Sequence, residues 1–115
     1  MARQSIPILT LSHRLTGTVA ANRFVTAAGA QAGADANTLG VSRVAGVSGE
    51  LAPVDVLGTT VVEAGAAVAA GATIKSTAAG KAITWATSGA KVALALEAAG
   101  ADGDLIEVLL IPNVA

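Results

Sequence analysis

Short runs of apolar and β-branched residues, punctuated by glycine-containing turns, organise this chain. Arg23–Ala27 (R-F-V-T-A) suits a strand, and Gln31–Asn37 reads as a loop. Thr38–Val44 is a second strand, followed by a turn at Ala45–Gly49. Leu51–Val62 (L-A-P-V-D-V-L-G-T-T-V-V) carries the strongest β signal, with a bend or bulge expected at Gly58. Thr73–Ser76 and Lys81–Ala86 read as strands around the Ala78-Ala79-Gly80 turn. In Val92–Glu97, Leu94 and Leu96 recur at period two. Ala98–Gly103 is a turn, and Asp104–Ile111 closes the series before Pro112. The continuous apolar run of that last strand predicts burial on both faces. Ile6–Leu11 is also β-prone, but Pro7 lacks a ladder donor and belongs at an edge or a strand start. Residues 1–12 read either as an extended arm that adds to a neighbour's sheet edge or as a frayed terminus with a short edge strand. Residues 13–115 then form one β domain.

Ala64–Ala72 is the ambiguous stretch. Alanine is the best helix former, so propensity alone predicts a helix. Comparison within the chain argues otherwise. Gly17–Gly29 resembles Gly65–Gly80, with Asn22 standing where the second copy has Gly71. Asn and Gly share tolerance of the left-handed region, so a tight turn explains the exchange and a helix does not. Later landmarks keep the same order. Leu39-Gly40-Val41, Gly49-Glu50-Leu51 and Val54 are followed by Leu94-Ala95-Leu96, Gly103-Asp104-Leu105 and Val108, the offset drifting from about 49 residues at Asn22 to about 55 here. Ala/Gly-rich sequence can produce such matches by chance. Read as a duplication, they give pseudo-repeats at about 17–58 and 65–111, a symmetric scaffold in which paired copies bury what neither buries alone. Regular short strands with glycine turns predict an all-β fold, a small barrel or a sandwich, with at most short helical turns.

Composition narrows what such a scaffold does. Of 115 residues, 53% are hydrophobic but only 2% aromatic, namely Phe24 and Trp85. Small side chains bury little area each, at about 25 cal/mol per Å², so a partner surface would add much stability. Charged residues are 13%, about half the usual share, and a charge-poor surface favours association. A homo-oligomer is expected. The net charge of −1 with no basic cluster argues against direct nucleic-acid contact. The chain has no cysteine, which removes disulfide and thiolate chemistry. Uncharged runs reach only eleven residues, Phe24–Ala34 and Ala64–Ile74, too short for a membrane span. No signal-peptide stretch opens the sequence.

Candidate chemistry is sparse. His13 is the single histidine, and its neighbour Ser12 points to the opposite face of a strand. Glu50 and Asp104 hold equivalent repeat positions, which suggests bonding to turn amides. Asp102-Gly103-Asp104 lacks the further oxygen ligands of a calcium loop. No phosphate cradle occurs, and no lysine sits in a carrier frame. We expect no catalytic, metal or cofactor residues. Phe24 belongs in the core, and Trp85 reads as a partly exposed contact.

The same landmarks carry a resemblance. Ala21–Thr26, Asn37–Val41, Pro53–Gly58, Val62–Gly71, the Ala79–Ala82 turn and Gly103–Val108 resemble, in that order, the small capsid cement (head decoration) proteins of tailed bacteriophages. The resemblance covers almost all of the chain from about residue 17. It implies a non-enzymatic β protein, β-tulip-like in shape, made in the host cytoplasm and placed on the outer surface of the phage head. It also implies binding to the major capsid protein after expansion, commonly as a trimer, with a dimer as the alternative. Candidate capsid or subunit contacts are Ile6, Ile8, Leu9 and Leu11 of the amino-terminal segment, with Trp85, Ile111 and Val114. A recognition module for a sugar or host surface is the competing class, though two aromatics are few for stacking. An enzyme or carrier domain has no motif behind it.

Overall fold

The computed structural model describes residues 5–111. Those residues contain eight strands and no helix: β1 (Pro7–Arg14), β2 (Arg23–Val25), β3 (Gly40–Ser42), β4 (Leu51–Glu63), β5 (Thr73–Ser76), β6 (Ala82–Thr84), β7 (Ala93–Ala95) and β8 (Leu105–Leu110). They form one sheet in the order β2-β3-β4-β8-β7-β5-β6, with β1 added alongside β4. The two ends of that order meet. The Phe24 amide donates to the Gly80 carbonyl at 2.8 Å, the Gly65 amide to that of Ala82 at 2.8 Å, and Ala64 bridges Ala82. The result is a nearly closed barrel, which removes most exposed sheet edges.

The duplication is visible residue by residue. Val19 bridges Gly46 in the first half, and Val68 bridges Ala99 in the second. The Leu15 amide reaches the Glu50 carbonyl at 2.8 Å, and that of Ala64 reaches Asp104 at 2.7 Å. Asn22 and Gly71 adopt φ of 60° and 87°, so the Ala64–Ala72 stretch contains a left-handed turn and no helix. The equivalence continues upstream into β1. Leu11 faces Val54 as Thr60 faces Val108, and Arg14 faces Leu51 as Glu63 faces Leu105. The long strand β4 therefore serves twice: its first half pairs with β1, and its second half is the counterpart of β1 and pairs with β8.

Glu50 and Asp104 do the job their positions suggest. A Glu50 carboxylate oxygen accepts from the Val47 amide at 2.8 Å. Asp104 accepts from the amides of Gly100 and Ala101 at 2.8 and 3.2 Å. Each tightens the turn before a barrel strand, as a cap does for a helix. Glu50→Ala and Asp104→Ala should each cost about 1 kcal/mol, with Asp104→Ala the larger because two amides lose their acceptor. Thermal unfolding of the single variants would check the order.

The main core holds Phe24, Val41, Val62, Ile74, Val92, Ile106 and Val108 with many alanines, and comes mostly from the second half. Leu15, Val19, Val25 and Ala52 form a smaller separate cluster. One expectation fails. In β8 only Ile106, Val108 and Leu110 are buried, while Leu109 is exposed and Leu105 and Glu107 are half-buried. A barrel wall has one inner face, so strict alternation overrides the continuous apolar run.

An ionic cluster seals the seam of the barrel. Glu63 accepts Arg23 at 3.2 Å and Lys81 at 3.1 Å, and Lys81 also reaches Asp102 at 2.7 Å. Burial works to raise Glu63, but the bonds from Lys81 and Arg23 outweigh it and hold the carboxyl below its ordinary value. The bond to Lys81 lowers Asp102 as well, and the bonds to Asp102 and Glu63 raise Lys81. Both carboxylates thus stabilise the fold fully above their ordinary range, about pH 4 to 4.5. That contribution is lost as pH falls through the lowered values. The melting temperature of Glu63→Gln should lie below that of the parent at pH 7, and the gap should close below about pH 4. Paired melts across pH would show this.

Candidate functional site

Strand β1 contributes no buried side chain to either core cluster. Its attachment rests on backbone pairing to β4, on bonds from His13 to the Ala27 carbonyl and from Arg14 to that of Gly49, and on a buried polar latch. The Asp55 carboxylate, fully buried on β4, accepts the Thr10 hydroxyl of β1 at 2.9 Å and the Thr60 hydroxyl at 2.7 Å. Arg43 stands 3.7 Å away on its outer side. A buried carboxylate needs such partners, and here they tie β1 to the barrel wall.

The ladder between β1 and β4 is irregular at its start. Pro7 faces Gly58, Leu9 faces Leu57 and Thr10 faces Asp55, with register shifts on either side of Leu9. Gly58 itself has φ of 96°, the irregularity anticipated there. The ladder skips Ile8, which is 81% exposed. Ile6 is also exposed, and its amide and carbonyl both pair with Thr59 at 3.1 Å. Alternation then turns the nitrogen of Pro7, which has no hydrogen to donate, toward the free edge.

Leu9 and Leu11 form one wall of a groove of about 510 Å³. Val56 and Leu57 of β4, Asn37–Leu39 and Ala27 complete its lining. No lining side chain is charged. His13, on the same side of β1, donates from Nε2 to the Ala27 carbonyl, 2.9 Å away. Residues at alternating positions of one strand explain why Leu9 and Leu11 converge. Sequence reasoning did not single out Leu39, Val56 or Leu57. The available signal was the pair Val56-Leu57, which breaks the alternation of β4 just before Gly58.

The other candidates lie elsewhere. Trp85 follows β6, is half-buried, and donates from its indole to the Gly89 carbonyl at 2.9 Å. Lys91 covers its ring, with Nζ 4.4 Å from the centroid. Ile111 follows β8, and its amide bonds the Val92 carbonyl at 3.0 Å. Neither lines the groove. Val114 lies outside the described residues. Among the described residues no group of three or more His, Cys, Asp or Glu converges as metal ligands do.

Known proteins place this architecture. No curated protein matches the sequence. The fold is similar to that of the N base of head fiber gp8.5 of bacteriophage phi29, with a TM-score of 0.70 and 18% identity over 93% of this chain and 97% of that one. A family model described as phage cement protein matches residues 3–110. With nearly the whole chain covered, this protein belongs to the phage cement protein family and is a structural component of the phage head.

Proposed function

We propose that the protein binds the outer surface of the expanded head and stabilises it by bridging neighbouring major capsid protein subunits. It does so as a homo-oligomer, a trimer in preference to a dimer, and performs no catalysis. The observation that carries this reading is β1. That strand presents Ile8, Leu9 and Leu11 to solvent, with Ile6 exposed just before it, and gives nothing to the core. Val44, Val47 and Leu51 are exposed as well. The phi29 head fiber base lends a precedent for this fold on a phage head. Individually weak contacts, repeated over a lattice, raise the cost of any local opening, which is how a small protein can oppose the pressure of packaged DNA.

Cosedimentation with undecorated procapsids and with expanded heads of the same phage tests the proposal. Saturable binding to expanded heads alone is the expected result, and its stoichiometry reports the symmetry of the site. Absence of binding to both forms would overturn it in favour of a recognition module for another surface.

A further inference from the structure

The two halves of the barrel should be equally well cored, and they are not. By the repeat equivalence, Leu11 and His13 hold the positions of Thr60 and Val62. Leu39 holds that of Val92, two residues before the Leu94 that the sequence landmarks match to it, because Ser42 faces Val54 as Ala95 faces Val108; the Leu39 and Val92 amides bond the equivalent carbonyls of Val25 and Ile74 at 2.7 and 2.9 Å. Val56 corresponds to Leu110. In the second half all four positions are buried, and Val62, Val92 and Leu110 belong to the main core. In the first half none is: Leu11 is 37% exposed, and His13, Leu39 and Val56 are half-buried. The groove is therefore a stretch of core that the described residues build but do not cover.

What would cover it is constrained by charge and by the strand edge. The lining carries no charge, so a charged occupant would lose hydration without gaining a partner. Adding a strand to β1 is obstructed at both ends. Pro7 blunts one, and the turn at Gly29 occupies the other, its carbonyl taking the Thr16 amide at 3.0 Å. Side-chain insertion remains open. The same chain offers an uncharged segment, Ser5–Ser12, with Ile8 thrown outward at the ladder irregularity.

We propose that the groove receives Ile8 of a second copy of this chain, so that β1 and the 37–39 loop form the contact between copies. Knob and groove sit on adjacent residues of one strand, so each chain presents both parts. Two copies can exchange them reciprocally, or three can pass them round a ring. This assigns the subunit contact within the cement reading and rests on that reading only for its use on the head.

The absence of native cysteine makes a clean test. Full-length Ile8→Cys and Leu39→Cys chains, distinguished by a mass tag, are mixed and mildly oxidised. A mixed disulfide well above either chain alone is expected. In sedimentation equilibrium, Ile8→Asp should weaken self-association at least about tenfold with an unchanged strand spectrum, because Ile8 is 81% exposed and belongs to neither core cluster. Leu39→Asp should do the same from the groove side. A parent chain that stays monomeric at about 0.1 mM, or an oligomer whose mass neither Asp variant alters, overturns the proposal. So does a mixed disulfide no stronger than the single-variant controls. Head binding keeps the two readings apart. A monomeric parent that still saturates expanded heads defeats only the contact between copies, whereas an oligomer that ignores heads defeats only the cement reading.

Discussion

Gly40→Ala should cost about 3 kcal/mol or more, at or beyond the upper end of overpacking penalties. Gly40 lies in β3 directly against β4. A Cβ built there would stand 1.9 Å from the Asp55 carbonyl oxygen and 2.8 Å from its carbon. Both atoms are backbone, so no rotamer change can relieve the contact. The only relaxation is separation of β3 from β4, which opens the wall beside the groove and the smaller core cluster. A domain of this size has about 5–15 kcal/mol of stability in total, so the variant should melt more than about 10 °C below the parent. Gly33→Ala is the matched control, since nothing lies within 4 Å of its Cβ and its φ is not positive. That change should be neutral or stabilise by up to about 1 kcal/mol. Melting both by circular dichroism decides the matter, and equal melting temperatures would mean that β3 and β4 can separate at little cost.

Asp55→Ala should be the second most damaging change, at about 3 kcal/mol. It removes the acceptor of Thr60, itself 2% exposed, along with those of Thr10 and Arg43. The penalty is chiefly that of leaving a buried hydroxyl without a partner. Asp55→Asn keeps one acceptor oxygen and should cost about half as much. If that account is right, adding Thr60→Val to Asp55→Ala should recover part of the loss, as a double-mutant cycle would measure. The latch also makes a local prediction. In Asp55→Ala, amide exchange should accelerate in β1 before it does in β7 and β8, since β1 has no core side chain to hold it.

Much of this architecture could be read along the chain. Thr73–Ser76 is a strand with the anticipated bounds, β4 runs one residue past the anticipated Val62, and β2, β3, β6, β7 and β8 fall inside their anticipated runs, shortened by one or two residues at their ends. Strand ends in a barrel bend away from their ladders, so runs read from propensity come out long. The turn at Gly71 and the roles of Glu50 and Asp104 were legible because the duplication supplied a comparison. A residue type that must serve the same backbone geometry twice reveals that geometry.

Other features depend on partners distant in sequence. Val54-Asp55-Val56 looks like a plain alternating strand, yet Asp55 is buried, because Thr10 arrives from 45 residues away to share its carboxylate with Thr60. Leu105 and Leu109 look like core, yet face outward because a barrel wall buries one side only. Leu9, Leu11, Leu39 and Leu57 give no sign in sequence that they surround one groove.

The order of turns and β-prone runs, the internal repetition of landmarks, the scarcity of charge and the absence of cysteine follow from the amino-acid sequence, because each is a local property or a comparison of one segment with another. That β1 pairs with the first half of β4, that the barrel closes at the Arg23–Glu63–Lys81 seam, and that the first half leaves its core open are decided only in three dimensions. Those outcomes depend on which segments meet, and whether an apolar residue becomes core or contact depends on whether anything covers it.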